Sequence, residues 1–160
     1  MRKPDRTGRG PRPSSIARVP GIDYAELDST LGYALKRAQI AAFEAFSRAT
    51  EGVGITPPRF TALIILQTNP GISQSTLGEV LGCARSGAMM LTDWLEERGL
   101  AERRHRPDDG RAWGLYLTPR GERTLETLRR RVRAQDQRLA ARLTKPDQRR
   151  LLQMLEKLAA

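Results

Sequence analysis

The side chains able to do chemistry in this chain are few and mostly of one kind, arginines beside short polar residues. One histidine, His105, and one cysteine, Cys83, leave no pair for nucleophilic catalysis and no cluster for a zinc site. The lone cysteine also excludes an intrachain disulfide. Acid–base hydrolysis needs paired carboxylates facing a cleft, whereas the Asp and Glu residues here fall largely on helix surfaces and in turns. No enzyme, no metal and no cofactor are therefore expected. Two places keep a guanidinium next to other recognition groups. The first is Arg85-Ser86, followed by Gly87, Met89 and Met90; the second is Asp109-Gly110-Arg111. A guanidinium can fork onto a guanine edge, a hydroxyl can meet a phosphate or a base, and a methionine can cover a thymine methyl. Met89 and Met90 have a second reading, packing against the protein's own helices. An arginine at a loop tip suits the negative potential of a narrow minor groove. The chemistry to expect is non-covalent recognition of a polyanion.

Charge points the same way. The chain carries 28 Lys+Arg against 18 Asp+Glu, a formal net charge of +10, and nearly all the cations are arginine. Nucleic acid is the first partner such an excess implies and an anionic membrane the second. No stretch approaches the roughly 18 apolar residues of a spanning helix. The first twenty residues hold charge and proline but no apolar core of a secretory signal, so a cytoplasmic protein with no membrane partner is expected. Residues 1–20, with Arg2, Lys3, Arg6, Arg9, Arg12 and Arg18 spaced by Pro and Gly, read as a disordered basic tail. That tail either touches DNA phosphates or merely solubilises. At 39% hydrophobic the remaining 21–160 can bury one core, and scarce aromatics with recurrent Ala, Leu and Arg make it mainly α.

The elements that must position these groups follow from spacing. Leu31, Leu35, Ala38, Ala42, Ala45 and Ala49 step by four and three along a first helix, with Phe43 and Phe46 as a second apolar edge; it ends at Gly52-Val53-Gly54. Thr56-Pro57-Pro58 caps a second helix that carries Phe60, Leu63 and Ile64 to Asn69-Pro70-Gly71. Ser73 caps a short third helix with Leu77, Val80 and Leu81 as its apolar residues, stopped by Gly82. A fourth helix follows with Ala84, Ala88, Leu91 and Leu95, stopped by Gly99. Two short helices across a tight glycine turn form a helix-turn-helix candidate. Leu100 to Arg104 and Trp113 to Leu117 read as the strands of a hairpin around the polar turn 106–111. That order is a winged helix. Thr118-Pro119 opens a long helix marked by Leu125, Leu128, Val132, Gln135 and Leu139. Thr144 and Asp147 open a last one with Leu151, Leu152, Leu155 and Leu158 on one side. Seamed helices outside the reading head predict a dimerisation platform.

In this order the pieces resemble the MarR family of winged-helix regulators. The resemblance is carried by Ile55-Thr56-Pro57-Pro58-Arg59-Phe60, Ser73 to Gly82, Leu95-Glu96-Glu97-Arg98-Gly99-Leu100, Asp109-Gly110-Arg111 and Leu117-Thr118-Pro119-Arg120-Gly121. It implies a homodimer joined through the first, fifth and sixth helices, and a winged helix-turn-helix over 55–118 with dimerisation helices over 24–51 and 119–158. It also implies a repressor of a pseudopalindromic operator in double-stranded DNA, released by a small aromatic or phenolic acid or its CoA thioester. The DNA-contacting residues it implies are Ser73, Gln74, Ser75, Arg85, Ser86, Gly87, Met89, Met90, Arg106, Asp109 and Arg111, with Asp109 holding Arg111. The chain departs from the family at Gly87, Met89 and Met90, where polar residues are usual. An effector pocket, where the first, second and fifth helices meet the reading head, would involve Tyr33, Arg37, Phe43, Phe60 and Ile64. Arg37 would pair there with a carboxylate or a CoA phosphate, or else make a surface salt bridge. Cys83, in the turn beside Gly82, is expected to be a small packing residue and not a redox switch. The competing readings are a non-specific architectural DNA-binding protein and a constitutive regulator without effector.

Overall fold

The computed structural model describes residues 18–107 and 112–159, and its contacts divide the chain into a unit ending at Glu44 and a larger one from Ala45 onward. In the first unit a 3-10 turn, Ala25–Ser29, precedes helix α1, Leu31–Ala49. The turn is fastened locally. The Arg18 guanidinium pairs with the Asp28 carboxylate, which favours its charged form, and also lies 5.0 Å from the centre of the Tyr24 ring. Tyr24 in turn stacks on Tyr33 with centroids 6.1 Å apart.

The larger unit holds the end of α1, then α2 (Pro57–Thr68), α3 (Gln74–Val80), α4 (Arg85–Glu97), β1 (Ala101–His105), β2 (Trp113–Leu117), α5 (Pro119–Leu139) and α6 (Lys145–Ala159). Each boundary has a local cause. Thr50 ends α1 with its buried hydroxyl shared between the carbonyls of Phe46 at 3.1 Å and Ile55 at 3.2 Å, so that hydroxyl is not left unpaired. Thr56 stands at the N-cap of α2 as expected from sequence, but its side chain makes no capping bond; the prolines alone preset that first turn. Ser73 and Thr118 do cap, accepting from Thr76 N at 3.1 Å and Gly121 N at 3.0 Å. Thr144 likewise accepts from Asp147 N at 3.3 Å.

Helical spacing converges on one core. Leu63 and Leu66 of α2, Leu77 of α3, Leu95 of α4, Leu115 of β2 and Leu125 and Leu128 of α5 are almost wholly buried. Val80, expected from sequence to belong to this set, is instead exposed. Leu77 and Leu81 lie four apart and share the inward stripe, whereas Val80 falls off its edge. The wing strands pair antiparallel from Ala101↔Leu117 to His105↔Trp113. A backbone bridge between Ile72 and Leu115 ties β2 to the loop before α3, with Leu115 N donating to Ile72 O at 3.0 Å. The approach is so close that a Cβ on Gly114 would lie 2.8 Å from the Gly71 backbone. No helix among the described residues is long and apolar enough to cross a membrane.

Candidate nucleic-acid interface

The geometry of α4 separates a packing face from an open one. Ala88, Thr92 and Leu95 are buried, and Thr92 satisfies its hydroxyl by donating to Ala88 O at 2.7 Å. Arg85, Ser86, Met89 and Met90, displaced around the same helix, are all exposed. Met90 is 70% exposed and Met89 49%, so neither is enclosed in the core of the single chain. Gly87 is half-buried.

Small residues let α3 and α4 approach. A Cβ on Gly78 would sit 3.0 Å from that of Ala88, and Gly82 adopts φ +60° in the connecting turn, a conformation open to glycine at little cost. Cys83, expected to be a small packing residue, is exposed in this turn. The turn bulges outward at Gly82, and the tight contact between the helices is made one turn further in by Gly78 and Ala88.

Ser73, Gln74 and Ser75 start α3, with Ser75 exposed and Gln74 half-buried. Arg106, at the end of β1, is half-buried. Asp109 and Arg111, expected at the wing tip, lie outside the described residues, as do residues 1–17 of the expected basic tail. Of the expected effector residues, Tyr33 and Arg37 stay together in the first unit, where Arg37 lies 5.9 Å from the Tyr33 ring centre. Phe43 is 57% exposed. In the second unit Phe60 packs against Phe46, with ring centroids 5.7 Å apart, and Ile64 packs onto the core.

Two side-chain arrangements join residues from different elements, and only the four-residue step from Trp94 to Arg98 has a counterpart in helical spacing. Arg59 of α2 and Arg98 at the C-cap of α4 stand over Trp94, 3.8 and 3.9 Å from its ring centre. Burial, and then the nearby Arg98 charge, make the Arg59 guanidinium less basic than usual. The second arrangement is centred on Arg103 of β1. Its Nη2 donates to Gln74 Oε1 and to Asp93 Oδ1, each at 2.8 Å, its Nη1 pairs with Glu96 Oε2, and its backbone N–H donates to Glu96 Oε1 at 2.9 Å. The partners lie 7, 10 and 29 residues away and belong to other elements, so no helical or strand period reveals them.

A helix with an open cationic and apolar face, supported by a second short helix and flanked by a two-stranded hairpin, defines a winged-helix transcriptional regulator. The comparisons with known proteins carry this further. Residues 53–112 match the model of the MarR family. The chain is 36% identical to the putative transcriptional regulatory protein for the hcr operon of Thauera aromatica, over 84% of this chain and 82% of that one. Its fold superposes with a TM-score of 0.81 on the transcriptional repressor CouR bound to a 23-mer DNA duplex, at 37% identity over 87% of this chain and 99% of the other. CouR bound to p-coumaroyl-CoA superposes at 0.77, with 36% identity over 86% and 97% of the two chains. The chain belongs to the MarR family.

Proposed function

We propose that this protein is a cytoplasmic homodimeric repressor without catalytic activity, which binds a pseudopalindromic operator and is released by an aromatic acid in its CoA-thioester form. The open face of α4 carries the reading: Arg85, Ser86, Met89 and Met90 project together from the helix that a winged-helix protein lays in the major groove. Ser73, Gln74 and Ser75 would hold the backbone at the start of α3. Gly87 would let α4 approach the DNA, while Arg106, Asp109 and Arg111 would bring the wing to the minor groove. Residues 55–118 form the reading head in this account. The relatives support both partners, since CouR has been solved with a DNA duplex and with p-coumaroyl-CoA.

The dimer rests on apolar surface that the single chain leaves uncovered. No residue of α6 is buried, although Leu151, Leu152, Met154, Leu155 and Leu158 are large and apolar. Leu139 and Leu143 near the end of α5, and Leu31 and Leu35 at the start of α1, are exposed as well. A soluble protein seldom leaves so much apolar area in water, and helices with such seams bury them against a second copy. The segments 24–51 and 119–158 are accordingly assigned to dimerisation, with half-sites about one helical turn, roughly 10 bp, apart.

Sedimentation at micromolar concentration should show a dimer, and p-coumaroyl-CoA added to the dimer–DNA complex should release the duplex where free p-coumarate does so weakly. A stable monomer would remove the platform on which the account stands. A complex indifferent to both ligands would leave a constitutive regulator.

A further inference from the structure

Arg103 joins the three parts that must meet DNA together. It sits in the wing strand β1, yet its guanidinium holds Gln74 at the start of α3 and both Asp93 and Glu96 in α4. The contacts fix orientation more than stability. The Asp93 side chain is 46% exposed, so solvent screens its pair with Arg103 and that pair contributes little to folding, whereas the Glu96 pair is more enclosed, with both side chains less than a third exposed. A planar guanidinium with several donors can satisfy three acceptors in fixed directions, which a lysine ammonium cannot do. β2 is already tied to the loop before α3 through Ile72 and Leu115, so Arg103 supplies the matching side-chain tie from β1 to α4.

We propose that Arg103 is a positioning residue for DNA recognition: through Gln74, Asp93 and Glu96 it sets the angle between the reading helix and the wing so that both grooves are entered at once. It touches no base or phosphate itself. The inference rests on the reading that both α4 and the wing contact DNA. It also gives Gln74 a defined side, because Oε1 accepts from Arg103 and the amide N–H groups remain the donors available to a phosphate.

The test is a double-mutant cycle on the full chain, using a duplex that the wild-type protein selects from random-sequence DNA. Arg103→Gln and Arg103→Lys are each made alone and with Arg111→Ala, with thermal unfolding recorded alongside. Removing the Arg111 cation from the wild type should weaken binding about tenfold, and Arg103→Gln alone should do about the same. In the Arg103→Gln background the loss of Arg111 should cost less than about twofold, because a wing held at the wrong angle has no contact left to lose; independent sites would be additive. Arg103→Lys should resemble Arg103→Gln while unfolding at nearly the wild-type temperature. Full additivity would overturn the proposal and make Arg103 a direct phosphate contact. A silent Arg111→Ala in the wild type would overturn it too, since nothing would be there to position. So would an Arg103→Lys that fails to fold, which would make the network structural. If the wild type selects no sequence, the regulator reading itself falls, and that outcome is seen before any variant is made.

Discussion

Gly121→Ala is expected to cost about 3 kcal/mol of unfolding free energy, at the upper end of overpacking penalties, and to abolish tight DNA binding. The cause is one backbone contact. A Cβ built on Gly121 would lie 2.0 Å from Leu100 O, the carbonyl that accepts from Thr118 N at 3.1 Å, and 3.1 Å from Leu117 Cδ2. Thr118 locks the same junction by donating its hydroxyl to Gly99 O at 2.6 Å. The Leu117 methyl can swing aside, but the Leu100 carbonyl is backbone and cannot, so the first turn of α5 must move away from the start of β1. Displacing that turn displaces the wing. Gly32→Ala is the control: nothing lies within 4 Å of a Cβ there, and alanine favours a helix over glycine, so stability should hold or rise slightly. Urea denaturation of both variants reads the difference. Equal, small effects would mean that α5 and β1 are not in this contact.

Arg85→Ala should change sequence preference, where Arg111→Ala changes affinity. Arg85 is exposed in the first turn of α4, beside Ser86 and one turn from Met89. If it forks onto a guanine, its loss costs about 1–3 kcal/mol at that base pair and relaxes discrimination there, while non-specific affinity falls by one phosphate's worth of charge at most. If Arg111 enters the minor groove as proposed, Arg111→Ala removes a cation there and no major-groove contact, so it should weaken selected and scrambled duplexes comparably, apart from any preference for a narrow A·T-rich groove. Both variants are titrated on the selected duplex, on duplexes changed at single positions and on scrambled DNA, at two salt concentrations. An equal loss on every duplex would make Arg85 a phosphate clamp and leave reading to Ser86, Met89, Met90 or DNA shape.

What the sequence made legible and what it hid divide along one physical line. Periodic burial was legible: steps of three and four marked α1 through α6, alternation marked β2, and glycines at 82 and 99 marked the ends of the short helices. Long-range pairing was hidden. Arg103 reads as one more arginine in a basic strand until the fold brings Gln74 and Asp93 to it, and Arg59 of α2 meets Trp94 of α4 only in the fold. Cap identity was legible at Ser73 and Thr118, but at Thr56 the side chain makes no capping bond. The 3-10 turn at Ala25–Ser29 carried no apolar period, because Arg18, Asp28 and Tyr24 hold it by charge and ring contact and no core residue contributes. For the effector residues, sequence position alone says little: Phe60 and Ile64 pack with the core, while Tyr33 and Arg37 sit in the other unit.

Net charge of +10 attracts any duplex, so affinity alone does not distinguish a sequence-reading repressor from an architectural DNA-binding protein. The measurement that does is a pair of binding isotherms at one stated salt concentration, one on the selected pseudopalindrome and one on a scrambled duplex of the same length and composition. A dimer reading two half-sites should prefer the palindrome by at least about 10³-fold, within the usual range for specific over non-specific binding. Equal affinity for both duplexes, falling together as salt is raised, would contradict the account and leave a protein that binds DNA by charge alone.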